Sequence, residues 1–201
     1  MYEVMGAVRS RAFRVMWMLE ELGQPYTFTE VYPGTPEAKQ FNASGKIPAM
    51  KDGDDVLTDS VAIMTYLADK HDGLTAPAGT IARARQDAVT QMLVDEFDAL
   101  LWTHSKHNMI LPDDVRMPQI TDALKKEFLR SLSMLEDAVQ GPFIMGDTMS
   151  VPDILAVHCL GWARMAEFPP ISDRIKAYTK EMRARPDNGP PECRGQTWYR
   201  P

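Results

Sequence analysis

Two short segments of this chain hold residues whose types and spacing suit the grip of a small anionic ligand. In Gly45-Lys46-Ile47-Pro48-Ala49-Met50 an apolar β-branched residue precedes a proline at a strand entry. That pairing favours extended backbone and removes the ladder donor at Pro48. An X-Pro bond there is a candidate for the cis isomer, which would turn the chain and leave the N–H and C=O of Ile47 unpaired. Backbone groups left free in this way pair with an extended peptide as a neighbouring strand would. Next comes Asp59-Ser60, opening an apolar helix (Val61, Ala62, Ile63, Tyr66, Leu67), so that a hydroxyl and helix N-terminal amides face an incoming anion. A strand-like clamp beside an anion cradle suits a small peptide with a free carboxylate. The plainer alternative is an ordinary strand-turn-helix.

The elements that must position these groups follow from pattern. Short strands are expected at Tyr2 to Met5 and Tyr26 to Val31, with a helix from Arg11 to Leu22 between them, stopped by Gly23-Gln24-Pro25. A loop is expected from Pro33 to Gly45. Strands Ala49–Lys51 and Val56–Thr58 then form a hairpin, and a helix from Ser60 to Lys70 closes the unit. This order implies a mixed sheet with one parallel pair joined by a crossover helix. Residues 74–80 read as a linker between a domain at 1–73 and an all-helical domain at 81–185. The helical part shows apolar periodicity over 80–108, over Met117 to Gln140, from Ser150, and over about Ser172 to Arg185. Ser150-x-x-Asp153 has the form of a capping box and is read as structural.

Composition narrows the function classes. Of 201 residues, 22 are Lys or Arg and 28 Asp or Glu, a net charge of −6, so no basic field favours nucleic acid or anionic membrane. No apolar run is long enough for a membrane span and no basic leader opens the chain, so the expected address is the cytoplasm. Cys159 and Cys193 are the two cysteines, far apart, which argues against zinc or dithiol chemistry. His104 and His107 stand at i, i+3 without an acidic ligand at matching spacing, so no metal is expected.

Ile47-Pro48, Asp59-Ser60, the linker, the helical second half and the string Phe143-Ile144-Met145-Gly146-Asp147…Ser150-Val151-Pro152-Asp153 together resemble a cytosolic glutathione S-transferase. The run Ser10-Arg11-Ala12-Phe13-Arg14-Val15-Met16-Trp17-Met18-Leu19-Glu20-Glu21-Leu22-Gly23 is similar to the family's first helix. The likeness covers roughly residues 2 to 185 and points to the serine-using, theta-like or beta-like, bacterial type. It implies an α/β thioredoxin-like N-terminal domain, an all-α helical-bundle C-terminal domain and a homodimer, with glutathione as co-substrate and no separate cofactor. The implied activity is conjugation of glutathione to small apolar electrophiles, as in detoxification. A binding or scaffold protein of the same fold without turnover, or a glutathione-dependent isomerase or dehalogenase, is the alternative.

By the same resemblance Ser10 stabilises the thiolate, Ser10…Arg14 keeping the spacing of theta-like and delta-like classes; Arg9 or a backbone N–H is the alternative donor, and a helix N-cap is the plain role of Ser10. Ile47 would pair with the cysteinyl backbone and Pro48 would shape that contact. Ser60 would take the γ-glutamyl carboxylate, Asp59 its ammonium, and Lys46 and Gln40 would add polar contacts. Trp102 and His107 would line the electrophile pocket. Residues 186–201, rich in proline, depart from the family's C-terminal helix and are expected to be irregular, with Trp198 and Tyr199 as possible packing points.

Overall fold

The computed structural model describes residues 1–189. The chain divides into two compact units, residues 1–78 with 183–189, and residues 79–182. The expected tail residues Trp198 and Tyr199, and Cys193, lie outside the described residues.

In the first unit, strands β1 (Tyr2–Gly6), β2 (Tyr26–Glu30), β3 (Ala49–Asp52) and β4 (Asp55–Thr58) form one sheet in the order β2-β1-β3-β4. β1 and β2 are parallel, joined through helix α1 (Ala12–Glu21); β1–β3 and β3–β4 are antiparallel. The expected mixed sheet with one crossover is therefore present. Met5 and Ala49 pack with Val31 and Ala38 on one face, with Phe41 and Ile47 at the margin. Their neighbours Val4 and Met50, both wholly buried, point to the opposite face because strand side chains alternate.

α1 begins after Ser10 and ends in a Schellman motif: the Gly23 amide bonds Glu20 O at 3.0 Å and the Gln24 amide bonds Leu19 O at 2.9 Å. Gly23 takes φ +62°, where a side chain would be strained. All of Ala12 to Leu19 is buried, so α1 is core rather than an amphipathic surface helix. Helix α3 (Ser60–His71) packs beside it. Residues 183–189, placed by the sequence reading partly in the helical domain and partly in the tail, group instead with the first unit. Arg185 makes a two-pronged ion pair with Glu21 (2.6 and 2.5 Å), and Trp17 Nε1 donates to the same carboxylate at 3.0 Å.

The stretch 33–45 differs from expectation. It contains helix α2 (Pro36–Phe41), started by the Thr35 hydroxyl, which accepts from the Ala38 amide at 3.2 Å, with Pro36 at the first turn. Its loop-like composition hid a cap signal of Thr-Pro-Glu.

The second unit is helical: α4 (Ile81–Leu93), α5 (Ala99–Ser105), α6 (Thr121–Ala138), α7 (Val151–Met165) and α8 (Asp173–Arg183). The expected continuous segment over 80–108 is interrupted, since π turns at Val94–Asp98 and Lys106–Ile110 follow α4 and α5. Phe97, Phe128 and Phe168 stack edge to face at 5.4 and 5.2 Å, each pair adding about 0.5–1.5 kcal/mol beyond burial. α7 opens with the capping box, and Asp153, fully buried, gathers the Ser150 amide, the Ser150 hydroxyl, the Ile144 amide and the Tyr178 hydroxyl. Burial pushes the Asp153 carboxyl up, while these donors pull the other way.

Candidate functional site

The β1–β3 register pairs Met5 with Ala49, so the next step places Gly6 opposite Pro48. A Cβ added at Gly6 would stand 3.8 Å from Ile47 Cβ and Pro48 Cα, and only 2.5 Å from Ala12 Cβ. Glycine thus lets the end of β1, the start of α1 and the entry to β3 meet at one corner. The Ile47–Pro48 bond is cis. Ile47 lies just outside the ladder, half-buried, and among the described residues neither its N–H nor its C=O takes a hydrogen-bond partner.

The β1–α1 turn leaves this corner and carries Ser10. Its hydroxyl donates to Ala7 O at 2.6 Å and accepts from the Ala12 amide at 3.1 Å. Ser10 caps the approach to α1, and its proton is directed at a carbonyl. Arg9 beside it is exposed.

At the other end of the corner, Asp59 has φ +70° and ψ 123°, sparsely populated for a residue with a Cβ. Its Oδ1 accepts from the Val61 amide at 2.8 Å and the Ala62 amide at 3.1 Å. Two of the helix N-terminal amides expected to face a ligand are therefore occupied by Asp59 itself. Ser60 retains its donors: among the described residues neither its amide nor its hydroxyl hydrogen reaches an acceptor. Ser60 Oγ instead accepts from Arg14 Nη1 at 3.1 Å, with Ser60 2% and Arg14 1% exposed. Arg14 was not anticipated as a partner of Ser60. The available signal was a single cation inside the apolar run Ala12 to Leu19, which a buried helix would retain only with partners.

Lys46 is exposed, but its backbone is fixed: Asn42 Nδ2 donates to Lys46 O at 3.1 Å and the Lys46 amide donates to Ser44 Oγ at 3.3 Å. Gln40 is exposed on α2. Ser10, Ile47, Pro48, Asp59 and Ser60 thus sit on adjoining segments of one unit, while Lys46 and Gln40 lie on the exposed approach.

In the helical unit, Trp102 is half-buried on α5. His107 Nδ1 accepts from the Met117 amide at 3.3 Å, so one ring nitrogen serves the local chain path. His104, between Asn108 and Thr121 and edge-on to Phe168, has its pKa lowered by burial and by the Lys125 charge. Among the described residues no group of three His, Cys, Asp or Glu side chains gathers as a metal site, and no helix is long and apolar enough to cross a membrane.

Residues 9–70 match the model of the glutathione S-transferase N-terminal domain, and residues 103–186 that of the C-terminal domain. Human glutathione S-transferase theta-1 is 33% identical over 135 residues, covering 59% of this chain and 52% of the relative. A zeta-class glutathione S-transferase of Euphorbia esula is 28% identical, covering 90% of this chain and 88% of the relative. The chain spans little more than half the length of the human theta-1 relative it matches. Among solved structures, a glutathione transferase from Methylococcus capsulatus superimposes with a TM-score of 0.78 at 25% identity, covering 94% of this chain and 95% of that one. From its two matched domains and its fold, this chain belongs to the glutathione S-transferase family.

Proposed function

We propose that this protein is a glutathione transferase that conjugates glutathione to small apolar electrophiles. The observation that carries the reading is the open N–H and C=O of Ile47, set beside the Ser10 turn and in the same unit as the open donors of Ser60. A tripeptide lying along Ile47 as an added strand gains main-chain hydrogen bonds, with Pro48 shaping the contact. The amide and hydroxyl of Ser60 take the γ-glutamyl carboxylate, and the exposed carboxylate of Asp59 takes the ammonium. Lys46 and Gln40 contact the glycyl end. The helical unit contributes electrophile contacts, Trp102 and His107 among them, and the working form is a cytoplasmic homodimer.

In the reaction the cysteinyl thiol loses its proton to solvent, the sulfur lone pair forms a C–S bond, and the displaced group leaves with its electron pair. A free thiol of pKa about 8.5 is only a few per cent ionised at neutral pH. Lowering that value by roughly two units requires about 2.7 kcal/mol. A charge-assisted hydrogen bond from Ser10, about 1.5–3 kcal/mol before the loss of its bond to Ala7 O, and the N-terminus of α1, about 0.3–1 kcal/mol, supply most of it. In the 1-chloro-2,4-dinitrobenzene assay, chloride is the leaving group. Turnover there, together with retention on immobilised glutathione, supports the reading; absence of glutathione binding overturns it.

The bond from Ser10 to Ala7 O favours a second reading, in which Ser10 is only a cap. The chain would then bind glutathione without conjugating it, or leave Arg9 or a backbone N–H to serve the sulfur; isomerisation or dehalogenation with glutathione is open to the same site. Binding without activity on a panel of electrophiles selects it.

A further inference from the structure

We infer that Arg14 is a positioning residue that fixes the donor sense of the Ser60 hydroxyl and so makes the site selective for a carboxylate. The inference rests on the reading of this site as a glutathione site. A guanidinium has five N–H donors and no acceptor. At the 3.1 Å contact between Arg14 Nη1 and Ser60 Oγ, the hydroxyl oxygen must therefore accept. Its single hydrogen is turned away from Arg14, and among the described residues it meets no acceptor. The Ser60 amide, first of α3, is open as well.

One residue thus presents two donors, backed by a cation that is 1% exposed. A buried charge polarises the hydroxyl it donates to and strengthens that hydroxyl as a donor in turn. An ammonium meets the Arg14 charge behind the hydroxyl, and only one lone pair of Ser60 Oγ is left to accept from it. A carboxylate accepts twice. Arg14 need not touch the ligand; it acts through Ser60. It stands one helical turn after Ser10, so the same helix serves both ends of the tripeptide site.

The test compares binding of glutathione with that of 4-aminobutanoyl-cysteinyl-glycine, which lacks only the γ-glutamyl α-carboxylate, by titration calorimetry. The wild type prefers glutathione by about 10- to 100-fold, the size of a charge-assisted contact. Arg14→Lys, a donor-only cation, keeps that preference. Arg14→Gln offers its carbonyl oxygen to Ser60, allows the hydroxyl to turn inward, and loses most of the preference. With the Gln variant KM rises, while the pH profile of kcat, set at the sulfur, stays where it was. Ser60→Ala loses the preference too, because the donor that Arg14 orients is gone; if Arg14→Gln does not fold, Arg14→Met, which fills the helix interior without a donor, takes its place and should likewise lose most of the preference. Equal affinity of the wild type for both peptides, a preference that survives Ser60→Ala, or an Arg14→Gln variant that weakens both peptides alike would overturn the inference while leaving the glutathione reading intact. A wild type that binds neither peptide overturns both.

Discussion

Replacing Ser10 by Ala tests how much of the thiolate's stability comes from one hydroxyl. In the structure that hydroxyl donates to Ala7 O at 2.6 Å. Turning toward the sulfur exchanges a neutral hydrogen bond of about 0.5–1.5 kcal/mol for one to an anion of about 1.5–3 kcal/mol. The difference is about 1.3 kcal/mol, or about one pKa unit at 1.36 kcal/mol per unit. The amides at the start of α1 remain in the variant, so their smaller contribution persists. The bound thiol should therefore titrate about one unit higher in Ser10→Ala. The pH profile of kcat reports the group in the bound complex. Its acid limb should move up by that unit, lowering turnover about tenfold near pH 6 and little above about pH 9. The variant also loses the acceptor for the Ala12 amide, costing about 1 kcal/mol of stability, which a denaturant midpoint measures separately. Superimposable kcat profiles for wild type and variant would refute the reasoning and leave Ser10 as a cap.

Three further outcomes follow from the geometry. Gly6→Ala forces a Cβ to within 2.5 Å of Ala12 Cβ, so the corner must open; stability should fall by about 1–3 kcal/mol, with weaker glutathione binding by calorimetry. Asp153→Ala leaves the donors from Ser150, Ile144 and Tyr178 without their acceptor in a buried place, and urea denaturation should show a loss of about 3–5 kcal/mol. His104 has a depressed pKa, so the unfolded chain takes up its proton first: stability is full above the unfolded value near 6.5 and falls as pH drops from there through the folded value. Denaturation midpoints across that window should flatten in His104→Gln; an unchanged slope would contradict the assignment.

Much of the architecture was legible because its signals are local. The order of short strand-like and helical runs marked the mixed sheet, Gly23-Gln24-Pro25 marked the end of α1, and the Ser150/Asp153 spacing marked the start of α7. The convergence of Ile47 with the β1–α1 turn was legible only through the resemblance, since it depends on the Met5–Ala49 register and on the absence of a Cβ at Gly6. α2 was missed because six residues cannot show helical periodicity, leaving Thr35-Pro36 as the only cue. The π turns escaped because each adds part of a turn without changing the residue types that line the buried face. Asp59 was read for its charge, whereas its first use is to cap α3. The tie between Arg14 and Ser60 crosses 46 positions and joins two helices, which no local pattern encodes.

Amide hydrogen exchange at Ile47, followed by NMR with and without saturating glutathione, tests the docking mode most directly. Strong protection of the Ile47 amide is expected on binding, because an extended tripeptide supplies an acceptor for it, with protection of the Ser60 amide alongside. Saturated protein whose Ile47 amide exchanges as fast as in the free chain would show that glutathione, if it binds, does not bind as an added strand.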